Sequence, residues 1–410
     1  MIQTRNHPKF YLALVVFSLV GQVAWVMENM YLNVFIYKMF HASAQQISLM
    51  VASSAVAATV TTLLMGALSD KLGKRKIFIC GGYIAWGISI LAFALIRTEW
   101  IGALNLCITL TILLDCVMTF FGSSANDAAF NAWLTDATDD TNRGKIEGIN
   151  AMMPLVAILV VFGGFMSLNQ DLQESWTVIF CVIGAIVLAL GVAGFFLIEE
   201  RTVRSEENQN YFANIFYGFR PSVIRANLPL YGTLLALALF NISIQIFMPY
   251  LILYYQISLG MEDYVLIFAP AIIAAAVFTG LYGKVFDQKG FRFAILPTLG
   301  LLAVGYVGLY FFRDTAMVFL SSLVMMCGYL GTGAMLGAQI RCVTPVKKAG
   351  MFQGLRIIGQ VLIPGVIGPA VGAAILSGAE MVANSDGTES FVPNENIFLG
   401  ALVALVITFA

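Results

Sequence analysis

Carboxyl groups inside long apolar stretches are the first residues of this sequence that could do chemistry. Glu28 lies well inside the first such stretch. A charge inside a bilayer costs about 2.5–3.5 kcal/mol on insertion scales, so each carboxyl group within an apolar stretch calls for a functional or structural explanation. Burial favours the neutral form, and a carboxyl that titrates as its exposure changes can couple proton movement to a solute. The alternative interpretation is a structural carboxyl whose hydrogen bonds are satisfied by neighbours near the outer interface.

A stripe of polar and aromatic side chains accompanies Glu28. Its members step by 3, 4 and 4 residues, which places them on one face of a helix: Gln22, Trp25, Asn29 and Asn33. Amides donate and accept hydrogen bonds and an indole can stack on a sugar ring, so the stripe suits a hydroxyl-rich solute. The alternative is hydrogen bonding between helices.

The fourth apolar stretch holds a second acidic group. Asp127 and Asn131 are four residues apart and share a helix face, next to Asn126. The carboxylate could accept two sugar hydroxyls, or the pair could order the end of the helix. We expect Asp115, twelve residues before Asp127, to fall on another face.

Polar residues are fewer in the second half of the chain. Asn241 and Gln245 form an amide pair four residues apart in the seventh stretch, just before Pro249, which removes a helical hydrogen bond. Arg356 lies a few residues into the eleventh stretch. It is interpreted either as a side chain that snorkels to the headgroups or as a countercharge for Asp127 or a substrate.

Membrane helices have to position these residues. The 410 residues are 60% hydrophobic and 11% charged with a mean hydropathy of +0.87, which excludes a soluble globular protein. Twelve stretches approach the 20 residues that cross a bilayer. They are 10–38, 45–69, 77–97, 101–133, 145–168, 174–198, 228–256, 262–284, 291–312, 315–341, 351–378 and 394–410. We therefore predict an all-α integral membrane protein with two six-helix bundles, 1–198 and 228–410, joined by a cytoplasmic linker, 199–227. The twelfth span is expected to be truncated at Ala410.

The basic residues predict an orientation. Of the 22 lysines and arginines, 18 fall on the side that holds both termini and the linker. The positive-inside rule then makes that side cytoplasmic.

A charged loop occurs twice. Residues 66–76 read GALSDKLGKRK, and their skeleton returns 217 positions later. The paired positions are Gly66, Asp70, Gly73 and Arg75 in the first copy and Gly283, Asp287, Gly290 and Arg292 in the second. The constant offset indicates a duplicated chain, and parallel six-span repeats are one recognised transporter plan.

Several classes of site are not indicated. The six cysteines show no C-x-x-C spacing, and the two histidines, His7 and His41, lie outside the apolar stretches. We therefore predict no metal site, no cofactor and no enzymatic activity. The net charge of −1 does not indicate a nucleic-acid-binding protein, which would carry an excess of basic residues.

The charged loop resembles the loop motif of the major facilitator superfamily, and the six-plus-six layout is similar to that fold over the whole chain. The resemblance implies a rocker-switch transporter with a central cavity lined mainly by spans 1, 4, 7 and 10. It also implies that Asp70 and its basic neighbours, with their counterparts in the second copy, act as a conformational latch.

Within the superfamily, Asp127 followed by residues 136–143 is similar to the glycoside–pentoside–hexuronide cation symporters, as is MYLNVFIY in span one. That resemblance implies sugar binding by Asp127. The family's two cation-binding aspartates correspond to Ala58 and Thr62 here, and its span-eleven lysine falls near Gln360.

The function predicted from the sequence is secondary active transport, by alternating access, of a small polar solute such as a sugar or glycoside in symport with protons. The alternatives are a drug or metabolite efflux antiporter and a non-transporting membrane sensor on the same fold. The expected partners are the solute and membrane lipid, without nucleic acid, and we expect a monomer. The expected location is the cell membrane, with the N-terminus in the cytoplasm.

Overall fold

Apolar helices dominate the structure, a computed structural model that describes residues 8–136, 143–199, 217–344, 349–384 and 386–409. Within these residues eleven helices are long and apolar enough to cross a membrane, and the helix Asn396–Phe409 is apolar but shorter. The predicted all-α membrane architecture is confirmed. Most of the predicted linker, residues 200–216, lies outside the described residues, as does Ala410.

The spans agree closely with the apolar stretches of the sequence. Spans one to six cover Pro8–Phe40, Ala44–Ser69, Arg75–Leu95, Leu104–Asp136, Gly148–Phe165 and Gln173–Leu197. Spans seven to eleven cover Leu228–Ser258, Tyr264–Lys289, Phe291–Phe311, Thr315–Val343 and Gly354–Leu376, and Asn396–Phe409 is span twelve. The helices that contain spans two, five and eleven extend beyond these limits, to Leu72, from Arg143 and from Ala349.

Several spans change helix type along their length. Four contain a π-helical segment: Met27–Tyr31 in span one, Ser123–Phe130 in span four, Tyr254–Ser258 in span seven and Ile358–Leu362 in span eleven. Tight 3₁₀ turns occupy Phe93–Leu95, Tyr217–Phe219 and Met248–Tyr250. Pro249 lies in the last of these, at the position where the sequence predicts a missing helical hydrogen bond, because proline has no N–H to donate to the preceding turn.

The remaining elements are short. Two helices, Thr98–Ile101 and Pro221–Ala226, lie between spans. A hairpin between spans eleven and twelve pairs Met381–Ala383 antiparallel with Glu389–Phe391, with Val382 opposite Ser390.

The chain divides into two compact units. The first comprises Met1–Phe40 and Val56–Ala213, and the second comprises His41–Ala55 and Asn214–Ala410. In the first unit, glycines bring spans three and six together: a Cβ on Gly87 would meet the Leu188 nitrogen at 2.5 Å, and one on Gly191 would meet the Ile84 nitrogen at 2.6 Å. Lipid tails are as apolar as the helices, so burying apolar surface does not favour helix association within a membrane. Small residues favour it instead, because they let two helices pack closely.

In the second unit, glycines likewise bring spans nine and ten close together. A Cβ on Gly305 would meet Met325 Cα at 2.5 Å, and one on Gly328 would meet the Leu302 nitrogen at 2.3 Å. Span seven packs on spans eleven and twelve, where Ser243 donates a hydrogen bond to the Ala401 carbonyl at 2.8 Å. Tyr250 of span seven also donates to the Ala44 carbonyl, at 3.0 Å.

Candidate functional site

Spans one and four of the first unit lie antiparallel and in register. Three contacts define the register: Gly21 faces Asn126, Trp25 faces Gly122, and Glu28 meets Thr119. Each step up span one is matched by an equal step down span four. The two stretches that carry most of the sequence-predicted site residues are therefore neighbours along their length.

The π-helical segments fall at these residues. Glu28 and Asn29 lie in the segment of span one, and Asp127 lies in that of span four. A π-helical turn widens the helix by one residue and is frequent at functional sites. In span eleven the segment contains Gln360, the position that corresponds to a family lysine.

Glu28 is buried, with 6% of its surface exposed, and Thr119 donates a hydrogen bond to its Oε1 at 2.8 Å. Asp115 precedes Thr119 by one helical turn and is 1% exposed. The Asp115 carboxyl interacts electrostatically with Glu28. The sequence predicts Asp115 on another face of span four than Asp127, and in the structure Asp115 lies one helical turn from Thr119, the donor to Glu28.

Span four carries a polar residue at every fourth position from Thr111 to Thr135. The series is Thr111, Asp115, Thr119, Ser123, Asp127, Asn131 and Thr135. Ser123 donates to Asp127 Oδ2 at 3.0 Å, and Asn131 donates to the Asp127 carbonyl at 3.2 Å. The series runs from fully buried at Thr111 to exposed at Asn131, while Asp127 is half-buried. The series therefore extends from the buried carboxyl group of Asp115 to the end of span four where Asn131 is exposed.

Asn126 has a structural role that its neighbour Asp127 does not share. Its side-chain amide donates to the Tyr83 hydroxyl at 2.7 Å, and Tyr83 donates to the Phe17 carbonyl at 2.9 Å. This chain of hydrogen bonds is buried and ties spans one, three and four together.

The amides of span one occupy different environments. Gln22 and Trp25 are half-buried, Asn29 is exposed and Asn33 is fully buried. Asn29 donates to the Trp25 carbonyl and Asn33 to the Asn29 carbonyl, both at 2.8 Å. The predicted single polar face is therefore divided, because Asn29 is exposed whereas Asn33 is buried in the interior of the unit. Trp25 also packs on Trp86, with ring centroids 4.9 Å apart.

The candidate residues of the second unit are only partly exposed. Asn241 and Gln245 of span seven are half-buried, and a Cβ on Gly368 of span eleven would meet Gln245 Cβ at 2.4 Å. Arg356 is half-buried and donates from Nε to Gln360 Oε1 at 3.3 Å, one turn along span eleven. The structure therefore brings Gln245 against span eleven and places Arg356 beside an exposed amide.

The first charged loop is built around Arg75. Gly73, with φ of +64°, ends the helix of span two and donates to the Ser69 carbonyl, a conformation that glycine adopts without strain. Arg75 is 5% exposed; its Nε pairs with Asp136 at 3.2 Å and its Nη1 donates to Ser69 at 2.6 Å. Gly66 has open space around it. The side chain of Asp70 lies outside the described part of the structure.

The second charged loop also turns at a glycine with positive φ, but its side chains are arranged differently. Gly290, with φ of +79°, separates spans eight and nine as Gly73 separates two and three. Asp287 and Arg292 are exposed, Gly283 is half-buried, and Lys289 lies over the Phe293 ring at 4.4 Å. The repeat is thus preserved in the turn, while the buried arginine is a feature of the first copy.

The arrangement in the first unit supports two kinds of chemistry. Exposed or half-buried Asn29, Asp127 and Asn131 offer donors and acceptors to a hydroxyl-rich molecule. The buried pair Glu28 and Asp115 offers a place where a positive charge or a proton would be held. Among the described residues, histidine, cysteine, aspartate and glutamate form no group of three that could hold a metal ion.

The sequence contained a signal for the residues that the predictions missed. Thr119, Ser123 and Asp115 belong to a series with a four-residue step, which is detectable by counting polar positions along the stretch. The pairing of Asp115 with Glu28 had no such signal, because it depends on the register between two spans.

Comparisons with known proteins identify the architecture. The family model described as Major Facilitator Superfamily matches residues 12–369. A crystal structure of a variant of the nucleoside transporter NupG superposes with a TM-score of 0.74 at 14% identity, covering 97% of this chain and 98% of that one. The xylose transporter XylE from E. coli, in a partially occluded inward-open conformation, gives a TM-score of 0.70 at 14% identity, covering 97% of each chain.

A third structural neighbour is a bacterial homologue of the human lysosomal transporter Spinster, in an inward-facing and occupied conformation. Its TM-score is 0.74 at 17% identity, covering 98% of this chain and 96% of that one. A sequence comparison with curated proteins finds no match. At these identities the neighbours establish a shared fold.

Proposed function

Because this chain belongs to the Major Facilitator Superfamily, in which the fold serves secondary transport, we propose that it is a proton-coupled symporter of a small polar solute, a sugar or a glycoside. The observation that carries the proposal is the series along span four. It connects an exposed amide and a half-buried carboxyl group, Asn131 and Asp127, with the buried carboxyl groups at Asp115 and Glu28.

The solute class follows from the chemistry of the exposed positions. Asn29 and Asn131 present amides and Asp127 presents a carboxyl group, and these groups can accept and donate to several hydroxyls at once. Trp25 supplies an aromatic surface beside them, which suits the face of a sugar ring. Two of the structural neighbours are named as transporters of a nucleoside and of xylose, and both molecules contain a sugar ring.

The proton is proposed as the coupling ion because carboxyl groups are the ionisable groups at the centre of this series. The positions that correspond to cation-binding aspartates in the sugar–cation symporters are Ala58 and Thr62, which offer no carboxylate to sodium. We propose the cell membrane as its location, and by the positive-inside rule we orient its N-terminus towards the cytoplasm.

The test is uptake into proteoliposomes with three radiolabelled probes, xylose, glucose and uridine, under an imposed proton gradient or an imposed sodium gradient. We expect the proton gradient alone to drive accumulation of at least one probe. Sodium-driven accumulation without proton drive would contradict the coupling ion. Net extrusion of the probes would favour the efflux alternative.

A matched pair of variants tests the binding surface with the accumulated probe. Asn131→Ala removes a side chain from the exposed end of the series and is expected to raise KM about tenfold, since a hydrogen bond to a charged or polar ligand is worth roughly 1–2 kcal/mol. Thr109→Val is the control, because Thr109 is exposed on the same span and its hydroxyl donates to its own helix, at the Asn105 carbonyl. Equal effects of the two substitutions would remove Asn131 from the binding surface.

A further inference from the structure

The carboxyl group of Asp127 has no countercharge among the described residues. Asp127 is half-buried in span four, and its side chain accepts a hydrogen bond from Ser123, which donates to Oδ2 at 3.0 Å. No described lysine or arginine forms an ion pair with it. Charged groups within membrane spans usually pair with another group or face a water-filled cavity, and they often mark the path of a substrate or an ion. A positive group of the solute can therefore take the place of the countercharge.

The basic residues of the first unit are held elsewhere. Three of them have partners of their own: Arg75 with Asp136, Lys38 with Asp171 and Arg97 with Thr177. The basic side chains at the start of span five, 143–145, lie outside the described residues. Ser18 donates to Asn150 at 2.8 Å, so this segment begins about two helical turns before the level of Ser18. Asp127 lies on the other side of that level, because Gly21 faces the residue before Asp127.

The exposed amides of spans one and four present their oxygen atoms. Asn131, one turn after Asp127, donates from Nδ2 to the Asp127 carbonyl at 3.2 Å. Asn29 donates from Nδ2 to the Trp25 carbonyl at 2.8 Å. A backbone carbonyl only accepts hydrogen bonds, so these contacts fix which end of each amide faces its own helix. The Oδ1 atoms of both residues accept from no described residue. The polar surface is therefore rich in acceptors.

A surface of acceptors around one carboxylate favours a positively charged ligand that is rich in donors. An ammonium group has three N–H donors and no acceptor, whereas a sugar hydroxyl also brings lone pairs that need donors. Hydrogen bonds between an ammonium group and a carboxylate are about twice as strong as those between neutral groups. Gln22 is half-buried near the level of Asp127 and has no partner among the described residues, so its amide can meet hydroxyls.

We propose that the transported solute carries an ammonium group beside its hydroxyls, as an amino sugar does, and that Asp127 is the counter-ion of that group. Asn131 Oδ1 is a second acceptor for the ammonium group, and Gln22 binds a hydroxyl of the same molecule. The inference rests on the proposed function and narrows its solute from small polar molecules in general to hydroxylated amines.

Equilibrium binding to the purified full chain in detergent tests the inference without transport. The probes are glucosamine, glucose and N-acetylglucosamine, which carry an ammonium group, a hydroxyl and a neutral amide at the same ring position. Isothermal titration calorimetry is performed at a pH at which the amine is protonated. We expect glucosamine to bind about tenfold more tightly than either neutral sugar, a difference of about 1.4 kcal/mol. Equal affinities would overturn the inference, and so would the absence of glucosamine binding.

Variants of span four separate the charge from the fold. Asp127→Asn should reduce the preference for glucosamine over glucose to about one, and Asp127→Glu should keep a preference. Asn131→Asp adds a carboxylate one turn away and should increase the preference, a gain that a misfolded protein does not show. Glu99→Gln is the control, because Glu99 is an exposed carboxyl between spans three and four, and it should bind like the unmodified protein. A preference that survives in Asp127→Asn, or falls in Asn131→Asp, would overturn the inference.

Sodium is the other cation that a carboxylate could hold, and competition tests it. Sodium and potassium at equal ionic strength should weaken glucosamine binding equally, by screening alone. A loss of binding that is specific to sodium and disappears in Asp127→Asn would assign Asp127 to an inorganic cation and overturn the inference.

Uptake distinguishes this inference from the proposed function. Accumulation of xylose or glucose by a protein that does not bind glucosamine would leave transport standing and overturn the inference. Binding of glucosamine through Asp127 without accumulation of any probe, glucosamine included, would support the inference and contradict the proposed function.

Discussion

The guanidinium of Arg75 pairs with the carboxylate of Asp136, with Nε and Oδ2 3.2 Å apart, at the point where spans two, three and four end or begin. Arg75 opens the helix of span three, Asp136 closes span four, and Ser69, the last residue of span two, accepts from the same guanidinium. A single buried side chain therefore fixes three helix ends within the first unit. The planar guanidinium presents Nε and Nη1 to the two partners in a fixed geometry, which the single ammonium nitrogen of a lysine does not offer.

Arg75→Ala is expected to destabilise the protein strongly. Removing one partner of a buried ion pair costs about 3–5 kcal/mol, and because 18% of the Asp136 side chain is exposed we expect the lower end, about 3 kcal/mol. The measurement is the midpoint of thermal unfolding in detergent, compared with the unmodified protein.

Arg292→Ala is the matched control, since Arg292 occupies the same place in the second copy of the loop and is exposed. Its removal should change stability by no more than about 0.5 kcal/mol. If both variants unfold at the same temperature, the ion pair of Arg75 contributes no stability and the two loops are equivalent.

Gly21→Ala is expected to break the hydrogen-bond chain between spans one, three and four. A Cβ at this position would lie 2.0 Å from Asn126 Nδ2 and 2.7 Å from the Tyr83 hydroxyl, which are bonded to each other. The added methyl group forces the amide away, and overpacking of this kind costs about 1–3 kcal/mol. Thermal unfolding again measures the loss.

Gly163→Ala provides the comparison within the same unit. Gly163 lies inside the helix of span five with nothing within 4 Å of an added Cβ. Alanine forms helix better than glycine, so this variant should be neutral or slightly more stable. A Gly21→Ala protein as stable as Gly163→Ala would mean that the spans can part at no cost.

The sequence was sufficient for features that depend on local composition and spacing. Apolar length defined the spans to within a few residues, because crossing a bilayer demands about 20 apolar residues regardless of tertiary context. The repeated loop was recognised from spacing alone, and its paired glycines, Gly73 and Gly290, both adopt positive φ directly after the helices of spans two and eight. The twelfth stretch was predicted at 394–410, and its helix covers Asn396–Phe409.

Features that depend on contacts between helices could not be obtained this way. The periodicity of span one placed Asn29 and Asn33 on one face, yet the π-helical turn and the packing of the unit leave the first exposed and the second buried. Equally, no local sequence pattern predicts the ion pair between Arg75 and Asp136. Interhelical register, which decides both outcomes, is a tertiary property with no one-dimensional pattern.

Asp386→Asn is expected to loosen the hairpin between spans eleven and twelve and to abolish its response to acid. Hydrogen bonds from the Thr388 hydroxyl and amide, at 2.6 and 3.0 Å, hold the pKa of Asp386 below its ordinary value, and His41 adds to this at 3.3 Å. A carboxyl with a lowered pKa stabilises the folded form above its unfolded pKa, and the contribution is lost as pH falls through the folded value. The hairpin should therefore be protected at neutral pH and open under acid conditions.

Hydrogen–deuterium exchange of the peptide covering the two strands, corrected for the intrinsic pH dependence of exchange, measures this directly. In the unmodified protein, protection should decrease as pH falls below the ordinary pKa of an aspartate. In Asp386→Asn it should already be low at neutral pH and should change little on acidification, because the titrating group is gone. Glu380→Gln, an exposed carboxyl beside the same hairpin, should behave like the unmodified protein. An acid response that survives in Asp386→Asn would assign the protection to another group, because the contacts of Asp386 with Thr388 and His41 would then contribute nothing to it.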